Sequence, residues 1–206
     1  MKISYSILTH NEDKSLQKLL EFLVKYKDEE DEIVILDDYS DNPKTIEILD
    51  VMTSMYEMTF EQRHLLKDYA GQKNYLTHMC NGEYIINIDA DEMPHKQLIK
   101  NIKEILKANP TIDLYYVPRI NTVEGMTQEH INKWYWQVNE NGWINFPDWQ
   151  GRIWKNRPNI RWEKPVHEML VGFKEHTFFP AEEEFCFYHP KTIDKQEKQN
   201  EFYNKI

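Results

Sequence analysis

In the first half of the chain, short apolar runs alternate with segments whose apolar residues recur at helical spacing, and three of the runs end on acids or other polar residues. Ile3 to Leu8 reads as a strand. Leu16, Leu19, Leu20 and Leu23 then follow a four-residue rhythm behind Asn11 or Asp13 as N-cap. Glu32 to Leu36 is a buried strand ending in Asp37-Asp38, and Pro43 opens a helix over Lys44 to Met52. A weaker strand around Met58 to Arg63, a helix from Gly71 to Cys80 and a strand Glu83 to Ile88 come next. Leu98, Ile102, Ile105 and Leu106 mark a helix closed by Asn109-Pro110. Alternation of this kind predicts right-handed crossovers on a mostly parallel, Rossmann-like α/β sheet flanked by helices.

After Pro118 the segments shorten and aromatic residues dominate, with strands expected at Asp113 to Val117, Gly151 to Lys155 and Glu184 to Tyr188 and a polar helix from Ile193. We read 1–206 as one domain, with a ligand-binding half over about 1–112 and a smaller aromatic-rich half over about 113–206. Hydrophobic residues at 40% exclude a disordered chain, and a formal charge of −10 argues against nucleic-acid or anionic-membrane partners. A cluster of Arg152, Lys155, Arg157 and Arg161 is the one basic stretch that could form a local groove. The first residues are too polar for a signal peptide, no apolar run approaches a membrane span, and Cys80 and Cys186 read as buried thiols, so a cytoplasmic location is expected.

Ligands of a parallel α/β sheet bind beyond the carboxyl ends of its strands. Here those ends read Thr9-His10-Asn11-Glu12, Asp37-Asp38 and Asp89-Ala90-Asp91-Glu92. Residues i and i+2 of an extended segment point the same way, so Asp89 and Asp91 can face one point, and two such carboxylates favour a hard divalent cation between them. Plain structural roles compete: Asp91 and Glu92 can cap the helix that follows, and Asp37-Asp38 suits an Asx turn. The six glycines are too widely spaced for a glycine-rich phosphate loop, Pro94 breaks a calcium loop, and His167-Glu168 lacks the second histidine of a zinc-protease helix.

Together T-H-N-E, I-V-I-L-D-D-Y-S, G-Q-K-N-Y and G-E-Y-I-I-N-I-D-A-D-E resemble the family 2 glycosyltransferases of GT-A fold, most closely small bacterial lipopolysaccharide-core and phage-type members. The resemblance covers Lys2 to Met93 and extends through R-I-W-K-N-R-P and V-H-E to Glu168. It implies an inverting, metal-dependent transfer of a sugar from a nucleotide-diphosphate donor, a UDP-sugar foremost, to a hydroxyl acceptor such as a glycan, with Mn2+ or Mg2+ as cofactor. Thr9, Asn11 and Glu12 match the first nucleotide loop, Asp37 or Asp38 the base-contacting acid, and Gln72, Lys73 and Asn74 a helix start near the nucleotide. Asp89, Ala90 and Asp91 match the metal motif, with His189, then His167, as a further metal ligand. The common Glu-Asp base signature is absent, leaving Asp148 as first choice of catalytic base and Glu168 as second. All six tryptophans fall between Trp134 and Trp162, and most are expected in the core, with Trp143 and Trp149 facing the acceptor. A catalytically silent nucleotide-sugar or glycan-binding module is the alternative. A nucleotidyltransferase is third, because the first loop lacks glycine and arginine.

Overall fold

The computed structural model of the chain describes residues 1–203. Its first half is β1 (Ile3–Thr9), α1 (Lys14–Tyr26), β2 (Glu32–Asp37), α2 (Pro43–Met55), β3 (Thr59–Gln62), α3 (Tyr69–Met79), β4 (Tyr84–Asp89), the two-residue β5 (Met93–Pro94) and α4 (Lys96–Ala108). The expected alternation is therefore present, and the helices keep the residues that define it: α1 buries Leu16, Leu19, Leu20 and Leu23. Asp13, not Asn11, caps α1, and His95 caps α4 by accepting from the Gln97 amide. Asp91 and Glu92 do not cap α4.

The second half comprises β6 (Leu114–Glu124), α5 (Gln128–Trp134), β7 (Ile144–Lys155), β8 (Arg161–Glu163), β9 (Met169–Val171), β10 (His176–Phe178), β11 (Phe187–Thr192) and α6 (Ile193–Tyr203). Nine strands form one sheet in the order β3-β2-β1-β4-β7-β6-β11-β5, with β10 paired to β6 beside that path. Strands β3, β2, β1 and β4 are parallel, whereas β7 runs antiparallel to both β4 and β6. The last strand lies later than expected, because a short 3-10 turn occupies Glu183–Phe185. β6 and β7 also extend well beyond the expected Asp113–Val117 and Gly151–Lys155.

Isoleucines dominate the core: Ile3, Ile7, Ile33, Ile35, Ile86, Ile88 and Ile153 are fully buried. Each such side chain contributes about 1.5–3 kcal/mol relative to exposure. Trp154 and Trp162 pack edge to face at 5.5 Å in a second buried cluster. The other four tryptophans are only half-buried and pack on neighbouring rings, as Trp134 does on Trp136 and Trp143 on Phe146, so most of the six do not lie in the core as expected. Both cysteines are buried and unpaired, and burial first of all pushes each thiol up to about 12. Among the described residues no helix is long and apolar enough to cross a membrane.

Candidate active site

The carboxyl ends of β1, β2 and β4 meet at a cleft whose three adjoining cavities all touch Asp89. The first, about 320 Å³, is lined by Thr9, His10, Glu12, Asp38, Leu65, Gln72, Ala90 and Asp91 among others. The second, about 540 Å³, brings together Lys73, Asp91, Trp149, Arg152, His167, Glu168 and His189. A third, about 210 Å³, joins them through Tyr69, Lys73, His167 and Glu168.

The structure separates the two acids after β2. Asp37 is fully buried and accepts from the Ser40 amide and hydroxyl at 2.9 and 2.5 Å and from Gln62 at 2.9 Å. Its oxygens hold the turn rather than face the cleft. Asp38 lines the small cavity and fixes Leu65 by accepting its amide at 2.8 Å. Asn11 also turns away: its side chain accepts from the amides of Asp41 and Asn42 and donates to Asp41, tying the first loop to the second. Gln72 exchanges hydrogen bonds with Arg63, and Asn74 clips α3 to β8 through both Trp162 backbone groups. Thr9 keeps a buried hydroxyl with no hydrogen-bond partner among the described residues, in the small cavity.

Asp89 and Asp91 line the same cleft but take different cations. Arg152 donates to Asp89 at 2.6 Å and to the fully buried Glu92 at 2.5 Å. Asp91 lies 3.3 Å from His189 Nε2 and 3.1 Å from the Lys195 ammonium, which also pairs with Glu12. Burial pushes both carboxyls up, but Arg152 and Lys73 at Asp89, and His189 and Lys195 at Asp91, outweigh it and hold both well below the usual carboxylate range. Arg152, Lys155, Arg157 and Arg161 are each paired with an acid, namely Asp89 and Glu92, Asp113, Asp113 and Glu163 respectively. No unneutralised basic groove remains at those four positions, which corrects the one sequence hint of a nucleic-acid contact.

The two base candidates differ in their surroundings. Nε and Nη2 of Arg119 and the amide of Asn121 donate to Asp148 Oδ2 at 2.7 to 2.9 Å, and Gln150 donates to Oδ1 at 2.7 Å. Burial raises the Asp148 carboxyl and Arg119, Asn121 and Gln150 lower it by more, so it sits below its ordinary value. Asp148 lines none of the three cleft cavities. Glu168 lines two of them and accepts one hydrogen bond, from Lys73 at 2.5 Å, while Lys73 lies 4.4 Å over the Trp162 ring. Trp149 lines the larger cavity with Tyr116, and both rings pack on the exposed Phe178 at 5.1 and 4.7 Å. Trp143 packs on Phe146 instead and does not line the cleft.

Among the described residues no three His, Cys, Asp or Glu side chains gather to hold a metal ion. The donor chemistry nevertheless suits a hard cation at one place. Asp91 and His189 offer an oxygen and a nitrogen 3.3 Å apart, beside an open cavity that can supply ligand and water oxygens. His167 lines the cleft but not this pair; Asp89 gives one oxygen to Arg152, as Asp91 gives one to Lys195.

Arg119, Asn121, Lys191 and Lys195 were not singled out from the sequence. Arg119 and Asn121 are two residues apart on β6, so their shared face is the only local signal. No curated protein sequence matches the chain. Among solved structures, S. aureus TarS 1-349 is similar with a TM-score of 0.61 and 15% identity, over 92% of this chain and 60% of that one. The same fragment in complex with UDP-GlcNAc gives 0.59 and 15%, over 93% and 59%. In complex with UDP it gives 0.61 and 15%, over 92% and 60%. The chain thus spans 60% or less of these TarS chains, and at such identity the likeness shows the fold, GT-A, alone. The sequence profile described as glycosyl transferase family 2 matches residues 4–173, most of the length that builds the acid-rimmed cleft, and the chain belongs to that family.

Proposed function

We propose that the chain transfers a sugar, with inversion, from a nucleotide-diphosphate donor to a hydroxyl acceptor such as a glycan. The carrying observation is the cleft itself: a nucleoside-sized cavity beside Asp38 opens at Asp89 into a larger one holding Glu168 and an aromatic wall. Asp38 accepts the ring N–H of the base, which suits uracil, and the TarS complexes with UDP and UDP-GlcNAc support a UDP-sugar. Asp37 and Asn11 act one layer behind, by shaping the two loops.

Asp91 and His189 hold a divalent cation, Mn2+ or Mg2+, which when bound supplies Lewis-acid charge to the departing diphosphate. Lys191 and Lys195, which line the wall beside Asp91, add fixed positive charge there. Glu168 is the general base. Its carboxylate takes the proton of the acceptor hydroxyl as that oxygen bonds to the anomeric carbon, while the bond from that carbon to the diphosphate oxygen breaks on the opposite face. Lys73 aims the carboxylate into the cleft, and Trp149 and Tyr116 offer aromatic faces to the acceptor. Asp148, saturated with donors, positions its neighbours and does not take the proton.

Calorimetric titration of UDP with and without Mn2+ tests the donor half, with metal-dependent binding lost in Asp91→Ala. Glu168→Gln tests the chemistry, because it lowers donor turnover by orders of magnitude while leaving UDP binding intact. Equal UDP binding with and without metal overturns the metal assignment, and undiminished turnover in Glu168→Gln overturns the base.

A further inference from the structure

The candidate metal ligand His189 is held from behind by a chain of hydrogen bonds whose polarity is fixed. Asn121 and His189 are register partners on the parallel strands β6 and β11. The Asn121 amide spans two groups: one end lies 2.8 Å from Asp148 Oδ2 and the other 2.7 Å from His189 Nδ1. An ionised carboxylate only accepts, so the end facing Asp148 is the NH2 group and the end facing His189 is the carbonyl oxygen. A carbonyl oxygen only accepts, so Nδ1 carries the hydrogen. Nε2 faces Asp91 Oδ2 at 3.3 Å; the charged ring donates to that oxygen, and the neutral ring, with its one hydrogen on Nδ1, keeps its lone pair there.

From this polarity we infer that Asn121 is a positioning residue that sets the His189 tautomer. Asp148 orients it, and Arg119 and Gln150 in turn hold Asp148. In the neutral ring the result is a nitrogen lone pair beside a carboxylate oxygen, which is what a cation needs and what two acceptors otherwise avoid. Without the Asn121 acceptor, the imidazole gains by placing its hydrogen on Nε2 and donating to Asp91, and the lone pair is lost to the site. Hydrogen-bonded partners of this kind orient metal-bound histidines generally. The purpose of the arrangement rests on the metal reading given above, but the tautomer does not. It also gives Asp148 a role that its saturated carboxylate can perform.

Long-range 1H–15N correlation spectra of the metal-free protein at pH 8.5 read the tautomer directly, with His189→Gln supplying the assignment. The expected result is the Nδ1–H form in the native chain and the Nε2–H form in Asn121→Leu. Electron paramagnetic resonance titration of Mn2+ in the presence of UDP is expected to show a loss of about 10- to 100-fold in metal affinity for the same variant. An Nε2–H or doubly protonated ring in the native chain overturns the inference, as does an unchanged tautomer in Asn121→Leu. A native chain that shows the Nδ1–H ring but no Mn2+ affinity leaves the tautomer assignment standing and removes the metal from the proposed function.

Discussion

Replacing Arg152 by methionine is the most severe single change that the charge arrangement under the cleft allows. Its guanidinium bonds Asp89, Glu92 and Asn87 at 2.6, 2.5 and 3.2 Å, and the residue is only 3% exposed. Asp89 has a side chain 33% exposed, so water recovers part of what it loses. Glu92 has 0% exposure and, among the described residues, keeps only Arg119, at 3.1 Å, and the Asp89 amide. Most of the cost therefore falls on Glu92. Removing one partner of such a buried pair costs about 3–5 kcal/mol. At roughly 2–4 °C per kcal/mol for a chain of this size, the melting midpoint falls by about 10 °C. The double variant Arg152→Met with Glu92→Met removes the stranded charge together with its partner, and recovers most of the loss. Scanning calorimetry on the four members of the cycle gives the coupling between the two sites. A single variant that melts within about 2 °C of the native chain refutes the argument, on the same conversion. So does a double variant no more stable than the single one.

Glu168→Gln is expected to lower turnover by about 10²–10⁴-fold with acceptor KM little changed, measured as UDP release, because only proton removal is lost. Asp38→Ala weakens UDP binding by roughly tenfold or more, the worth of one charge-assisted hydrogen bond, whereas Asp37→Ala lowers the melting midpoint instead, by stranding the donors that Asp37 satisfies. Calorimetry and thermal melts separate the two. Stability should fall on acidification. Burial raises the carboxyls of Asp89, Asp91, Asp113 and Asp148, but nearby cations and hydrogen-bond donors lower all four by more. The unfolded chain then binds more protons than the folded one, so the stabilisation is complete above the unfolded value near ~4 and is lost as pH drops through the lower folded values. A melting midpoint that rises between pH 5 and pH 3 contradicts this.

The parallel half was legible because its signals are local: periodicity over a few residues places β1, α1, β2 and α4, and the acids at the strand ends follow from the same reading. The long β6 and β7 were not. The first half of β7 is mostly half-buried or exposed, so it lacks the apolar alternation that marks a strand. Within the site, the sequence assembled the residues that meet at the rim but not their partners. Glu168 and Lys73 are 95 residues apart, and His189 and Asp91 are 98. No spacing rule reaches across such distances; only sheet order brings β11 beside β6 and sets His189 level with Asn121. Asp148 looked like a base for the same reason: a lone acid between proline and tryptophan shows none of the four donors that close around it.

The charge arithmetic raises a further point, because a chain with a net charge of −10 has to admit a diphosphate. The rim resolves this locally. Arg152, Arg119, Lys73 and Lys195 each already face a carboxylate, but Lys191 has only the Gln199 amide as hydrogen-bond partner among the described residues, at 2.5 Å. Burial first of all pulls its ammonium below the ordinary lysine value; Asp91 and, less, Glu92 oppose it, and Arg119 and Lys195 add to it. A partly buried ammonium with no carboxylate bonded to it is costly, and an arriving diphosphate relieves that cost. Lys191→Met should therefore weaken UDP binding by about tenfold, some 1.4 kcal/mol, with a smaller loss at high salt as screening removes the advantage from the native chain as well. Tighter UDP binding in that variant, or a loss that grows with salt, shows instead that the lysine is an electrostatic burden on the fold and takes no part in holding the donor.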